Sequence, residues 1–444
     1  SANSAAALNI GMVHQHFKLV SNYTIAENIV LGIEPMKKAL GVLPYVDLKS
    51  ANKKINELSK TYGLEVNPTD KIENVNVSVQ QRVEILKMLY RDVDLLILDE
   101  PTSVLTPQEV DELLLQLKHL KSQGKTIIII THKLREVMQV SDSVAVIKKG
   151  KLIGNVNTAD TTEALLAEMM VGRRGLLTVR NDYRPTEGQK RMYAVDGITT
   201  INSYGNKVVD SVSFEINSGE IYGIAGVEGN GQSELVKLLS GMMEVTGGKI
   251  HFKDKNVTNY WADAVRKLGV AIIPEDRYAE GLCRDMSLSD NSIAGLTKRA
   301  GISNRGIFDK KTIKAHCQSL IDTYEIRIAD FDGNVSQLSG GNAQKLIIAR
   351  EMGRKPDLLI ASQPTRGVDI GAIEFIHQQI LDFRNRGGAV LLISSELSEV
   401  MSLADRVGVM YKGKIIGEVD PRITTETEIG LLMAGAKPQE AVAA

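Results

Sequence analysis

Leu338-Ser-Gly-Gly-Asn342, continued by Ala343-Gln-Lys345, is the stretch around which the chain is organised. Ser339, Gly340 and Gly341 place a hydroxyl and closely spaced backbone N–H groups at the expected start of a helix. The first amides of a helix lack internal partners and its dipole adds positive potential, so such a turn attracts anions. An ordinary turn capped by Ser339 would read the same in isolation. The surroundings decide between the two. Downstream, Asp357-Leu-Leu-Ile-Ala-Ser-Gln-Pro-Thr365 contains a short apolar run that predicts a buried parallel strand, and Val390-Leu-Leu-Ile-Ser-Ser395 predicts another.

The same pieces occur twice. Leu95-Leu-Ile-Leu-Asp-Glu-Pro-Thr102 aligns with Leu358–Thr365, Lys133–Met138 with Glu396–Met401, and Lys149–Gly154 with Lys412–Gly417, each pair 263 positions apart. Asn28 and Asn291 keep that separation. Such a repeat means two homologous α/β units. The expected boundaries are 1–175 for the first unit, 176–192 for a linker where the periodic pattern lapses, and 193–436 for the second.

The second unit contains Gly226-Val-Glu-Gly-Asn-Gly-Gln-Ser233, between a strand Ile221–Ala225 and a helix expected from Glu234 to Ser240. That is the context of a phosphate-binding loop, with Gly226, Gly229, Asn230, Gly231, Gln232 and Ser233 as its candidate residues. The counterpart in the first unit would precede residue 1, so that unit is expected to lack roughly 70 residues at its start. Val77-Ser-Val-Gln-Gln-Arg82 matches Leu338–Lys345 with two residues fewer, since Ser78 stands 261 positions from Ser339 and Gln81 stands 263 from Gln344. A shortened turn without glycines is expected to clamp phosphate poorly. Residues from about Val46 to Asn74 are polar and helical in period.

In this order, the signature turn, acid-ended strand and switch strand resemble the ATP-binding-cassette (ABC) family over nearly the whole chain. The resemblance implies two tandem P-loop NTPase domains, each with a helical signature subdomain. It implies ATP and Mg²⁺ as cofactors. Gln15, in Ile10-Gly-Met-Val-His-Gln-His-Phe17, would be the Q-loop residue near the metal and the γ-phosphate. Asp99 would hold Mg²⁺, Glu100 would polarise the attacking water, and His132 would donate to the γ-phosphate. Ser339, Gly340, Gly341 and Asn342 would complete a nucleotide site built head to tail from both units.

The second unit inverts this pattern. Its P-loop lysine position is Gln232, its Q-loop position Glu275, its Walker B pair Ser362 and Gln363, and its switch position Ser395. One well-placed electrostatic group is worth roughly 3–4 kcal/mol in a transition state, so hydrolysis at this P-loop is not expected, whereas static nucleotide binding is. The good acid and switch of one unit and the good signature turn of the other imply one competent and one degenerate site.

At 444 residues, the chain has length for two or three domains with real cores. Its 53 basic and 54 acidic residues leave a net charge of −1, which argues against a nucleic-acid partner held by bulk charge. Cys283 and Cys317 form no CxxC, so neither a disulfide framework nor a zinc site is expected. Apolar runs such as Thr126–Thr131 are too short to span a bilayer. Membrane association is therefore expected through partners, at the cytoplasmic face.

The strings Met12–Leu19 and Gly226–Leu235 are most similar to the nucleoside branch of the monosaccharide and nucleoside importer ATPases. That branch implies two permease subunits and, indirectly, an extracytoplasmic substrate-binding lipoprotein. A non-hydrolysing nucleotide-binding scaffold is the main alternative, because no lysine-bearing P-loop is in the sequence. A soluble tandem ABC translation factor would need a long charged linker and two complete catalytic sets, and a dinucleotide-binding reading of Gly229-Asn-Gly231 lacks a final glycine.

Overall fold

The computed structural model describes residues 2–14, 17–39, 43–102, 105–148, 150–171, 181, 189–202, 205–298, 301–304, 307–328 and 333–436. Gln15 and most of the expected linker lie outside them. Contacts divide the chain into two compact units, residues 1–173 and 174–444.

In the first unit the strands Ile10–Val13, Leu95–Asp99 and Thr126–Ile130 form a parallel sheet in that order. Their Ile- and Leu-rich sequences suit a pleated surface covered by helices. Leu96 and Leu98 are buried with Val83 and Leu86 of the Val77–Tyr90 helix and Leu113 and Leu117 of the Pro107–Ser122 helix. Ile128 and Ile130 are exposed, whereas their second-unit counterparts, Leu391 and Ile393, are buried beside the Ile221–Ala225 strand. The helical period read from Val46 to Asn74 is realised only over Leu48–Tyr62. Gly63 caps that helix in the left-handed region at φ 66° and Pro68 follows, so the chain turns before a short 3₁₀ turn at Ile72–Asn74.

The second unit holds a six-stranded sheet in the order Val270–Ile273, Leu358–Ser362, Ala389–Ser394, Ile221–Ala225, Arg406–Tyr411 and Lys414–Val419. All pairings are parallel except the last. The P-loop helix spans Gln232–Leu239, two residues earlier than expected at its start. A second, antiparallel sheet is built on the long strands Arg191–Ile201 and Lys207–Asn217. Asn181, inside the expected linker, is packed on this unit. Its amide donates to Leu403 O at 2.9 Å and Asp405 Oδ1 at 2.8 Å, and its oxygen accepts from Arg384 Nη2 at 2.6 Å.

The repeat extends to single side chains. Buried Asn28 accepts from Val20 N at 2.7 Å and donates to the carbonyls of Val20 and Thr24, both at 3.0 Å. Buried Asn291 accepts from Cys283 N at 2.9 Å and donates to the carbonyls of Cys283 and Ser287, both at 3.0 Å. Strand register refines the alignment near the Q-loop. Ile10 pairs with Leu95 as Val270 pairs with Leu358, which sets Gln15 against Glu275.

The same comparison corrects one expectation. The first unit's signature turn is substituted, not shortened. Its helix is capped by Asn76, which accepts from Val79 N at 2.9 Å, and the second unit's is capped by Ser339, which accepts from Asn342 N at 3.5 Å. The 3₁₀ turns at Ile72–Asn74 and Val335–Gln337 precede them in register. Val77, Ser78 and Val79 therefore stand where the second unit has Gly340, Gly341 and Asn342. Matching serine to serine hid this, because the capping role passes from Ser339 to an asparagine two residues before Ser78.

Candidate functional site

At the end of the Leu95–Asp99 strand the chain turns sharply, with Glu100 in the left-handed region at φ 45° and its N–H held by Ile130 O at 2.8 Å. Such a conformation costs a non-glycine residue about 1–3 kcal/mol and persists only where surroundings impose it. Here it aims the carboxylate at the end of the neighbouring strand, where Glu100 Oε1 lies 3.1 Å from His132 Nδ1. Both side chains are partly exposed, so reactants can approach them. Behind them, Gln81 donates its amide to Pro101 O, and Lys133 Nζ donates to Thr102 O at 3.3 Å. Asp99 precedes Glu100 on the strand. A lone carboxylate suits Mg²⁺, which keeps several waters and takes its other oxygens from substrate phosphate.

The second unit keeps the backbone and loses the charges. Gln363 has φ 47° and its N–H is held by Ile393 O at 2.7 Å. Its Oε1 accepts from both the N–H and the hydroxyl of Ser395 at 3.1 Å. Ser362 is buried at the aspartate position. None of these groups is a base at neutral pH.

The P-loop is formed at this end of the sheet. Gly231 caps the Gln232–Leu239 helix with φ 102°, and a Cβ there would lie 2.5 Å from Val208 O. Gly226 closes the strand end and Gly229 is left-handed at φ 88°. Asn230 ties the loop to the following hairpin, accepting from Lys412 N at 2.8 Å on its side chain and from Gly413 N at 2.9 Å on its carbonyl. Gln232 donates back to Val227 O at 3.1 Å, while its own Oε1 is buried without a partner among the described residues. Ser233 donates its hydroxyl to Glu275 Oε2 at 2.6 Å. Glu275 Oε1 accepts from Arg366 Nη1 at 2.7 Å, and Arg366 Nη2 reaches Glu228 Oε1 at 3.4 Å.

The intact signature turn has its own support. Ser339 caps the Gly340–Met352 helix, and Asn342 donates its amide to Ser339 Oγ at 2.9 Å while accepting from Arg327 N at 3.0 Å. Arg277, just after the Q-loop position, donates to Gly340 O at 3.0 Å, to Gly367 O at 3.4 Å and to Arg366 O. Burial pushes the Arg277 guanidinium below its ordinary pKa, and these three carbonyls offset the cost. Sequence reading assigned no role to Arg277 or Arg366. The usable signal was that the second unit carries Glu275 and Arg366 where the first has Gln15 and Ser103, two changes of opposite charge.

A strand–glycine loop–helix unit, an acid-ended strand beside a histidine and a serine-capped glycine turn are the elements of a P-loop nucleotide-binding protein. The profile of the ABC transporter family matches residues 2–103 and 209–366. The nucleoside import ATP-binding protein NupA of Lactococcus lactis is 44% identical over 99% of this chain and 86% of its own length. The guanosine import ATP-binding protein NupO of Bacillus subtilis is 44% identical over 99% of this chain and 85% of its own. The ribose import ATP-binding protein RbsA of Lactococcus lactis is 34% identical over 98% and 85%. The chain belongs to the ABC transporter family, as one of its ATPase chains.

Proposed function

We propose that this chain is the ATP-binding subunit of an importer, hydrolysing ATP to drive uptake of nucleosides, or secondarily simple sugars, through two permease subunits. The observation that carries this reading is the Glu100–His132 pair at 3.1 Å, beside a second unit whose matching pair is Gln363–Ser395. Glu100 takes the proton from the attacking water, and His132, oriented by Glu100, donates to the γ-phosphate. Asp99, with Gln15, would hold Mg²⁺, which would offset charge on the phosphates. Ser339, Gly340, Gly341 and Asn342 present helix-start amides to phosphate. Gly226, Gly229, Asn230, Gly231, Gln232 and Ser233 hold a nucleotide that is not turned over.

The names of the similar proteins support nucleosides ahead of ribose. Among the described residues no helix is long and apolar enough to cross a membrane, which suits a subunit held at the cytoplasmic face by its permeases. A binding lipoprotein on the other side would deliver the cargo.

Uptake of a radiolabelled nucleoside into proteoliposomes containing the native ATPase and its permeases tests the reading. ATP-dependent uptake that ribose fails to compete is expected. Uptake unchanged by Glu100→Gln would instead support a non-hydrolysing scaffold.

A further inference from the structure

The second P-loop does not fit Mg²⁺. A divalent ion at a P-loop takes the Ser/Thr hydroxyl and a strand-end carboxylate. Here the strand-end residue is Ser362, neutral and buried, so the carboxylate of that pair is missing, and the Ser233 hydroxyl, which donates to Glu275 at 2.6 Å, is the only one of the two ligands left. Glu275's other oxygen is taken by the Arg366 guanidinium at 2.7 Å. A fixed cation thus already lies at the mouth of the loop, joined to P-loop residues on two sides, through Glu275 to Ser233 and directly to Glu228.

The two contacts of Arg366 are unequal. Nη1 to Glu275 is short, and Glu275 is mostly buried, with 22% of its side chain exposed. Nη2 to Glu228 is long at 3.4 Å, between side chains that are 37% and 42% exposed, and an ion pair of that kind contributes little. A guanidinium is a rigid fork that can keep one acceptor while the other arm turns to a phosphate oxygen. Exchanging Glu228 for a phosphate oxygen would bring charge to a nucleotide without releasing Glu275. The sequence carries the same substitution as a set: Gln15 and Ser103 in the first unit become Glu275 and Arg366 in the second.

We infer that the second P-loop binds its nucleotide without a divalent metal, with Arg366, tethered by Glu275, supplying the cation. This rests on the proposal that the second P-loop holds nucleotide at all.

Photolabelling of the native protein with 8-azido-ATP, in Mg²⁺ or in EDTA, tests it when labelled peptides are assigned to residues 174–444. Half-saturation of that label is expected to agree within about twofold in the two conditions, because no metal contact is lost. Arg366→Ala is expected to weaken labelling in EDTA by about tenfold or more, as for loss of a charge-assisted hydrogen bond. Glu228→Ala, which removes the competing acceptor, is expected to tighten it. Arg366→Lys keeps the charge but not the fork, and is expected to fall between. Label abolished by EDTA in the unmodified protein would overturn the inference, as would Arg366→Ala and Arg366→Lys labelling like the parent. No label on this unit in either condition would overturn both the inference and the reading of this loop as a nucleotide site, leaving the first-unit chemistry untouched.

Discussion

Glu100 Oε1 stands 3.1 Å from His132 Nδ1, and at the matching place in the second unit Gln363 Oε1 stands 3.1 Å from Ser395 Oγ. The left-handed turn that presents each residue is the same, at φ 45° and 47°. The turn is kept in duplicate, while the acid and the histidine occur in one copy and an amide and a hydroxyl in the other. His132→Ala is accordingly expected to lower kcat of the native ATPase by roughly 10²–10³-fold, the scale for a lost transition-state donor. Ser395→Ala should change it less than about twofold, since Ser395 only holds an uncharged amide. Steady-state phosphate release measures both.

Arg277 joins the signature turn to the segment after the second Walker B strand, through Gly340 O, Gly367 O and Arg366 O. Arg277→Met removes three hydrogen bonds while filling similar space, and leaves the Gly340, Arg366 and Gly367 carbonyls without that partner. The expected result is a turnover defect larger than the KM defect, because what moves is the amide-presenting turn rather than the P-loop. A rise in KM at constant kcat would contradict that role.

The paired asparagines give a stability prediction. Asn291→Ala leaves the Cys283 N–H without its acceptor at 2.9 Å, and Asn28→Ala does the same to the Val20 N–H at 2.7 Å. Each variant loses the hydrogen bonds of a buried asparagine, at about 0.5–1.5 kcal/mol per bond. Asn291→Ala should lower the denaturation midpoint of the second unit alone, and Asn28→Ala that of the first alone. Proteolysis in urea, with fragments assigned to each unit, distinguishes them.

Gly231 supplies a further test. Alanine there meets Val208 O at 2.5 Å and must hold φ near 102°, so the P-loop has to shift. Gly231→Ala is expected to abolish nucleotide photolabelling of the second unit while leaving most ATPase activity, provided the variant retains the parent's urea midpoint. Gly229→Ala meets no atom within 4 Å and should be milder.

Much of this arrangement was legible in the sequence because its signals are local. The apolar runs at Leu95–Leu98 and Leu358–Ala361 became strands in equivalent sheets, and the constant separation of 263 positions survived down to Asn28 and Asn291. What was not legible depends on who takes a role in three dimensions. Asn76 caps a helix where Ser339 does, so matching serines misaligned the first signature turn. Arg366 meets Glu275 from 91 positions away, and nothing in either local sequence names the other as its partner. Gly63 and Pro68 ended a helix whose polar period, taken alone, ran on to Asn74.

On the proposed function Glu100 does the chemistry and its repeat counterpart, Gln363, does none. Phosphate release by the native protein, compared between Glu100→Gln and Gln363→Ala at saturating MgATP, addresses it most directly. Glu100→Gln is expected to lose roughly 10²–10⁴-fold, as for removal of a general base, while Gln363→Ala stays within about twofold of the parent. Equal losses in the two variants would contradict the account.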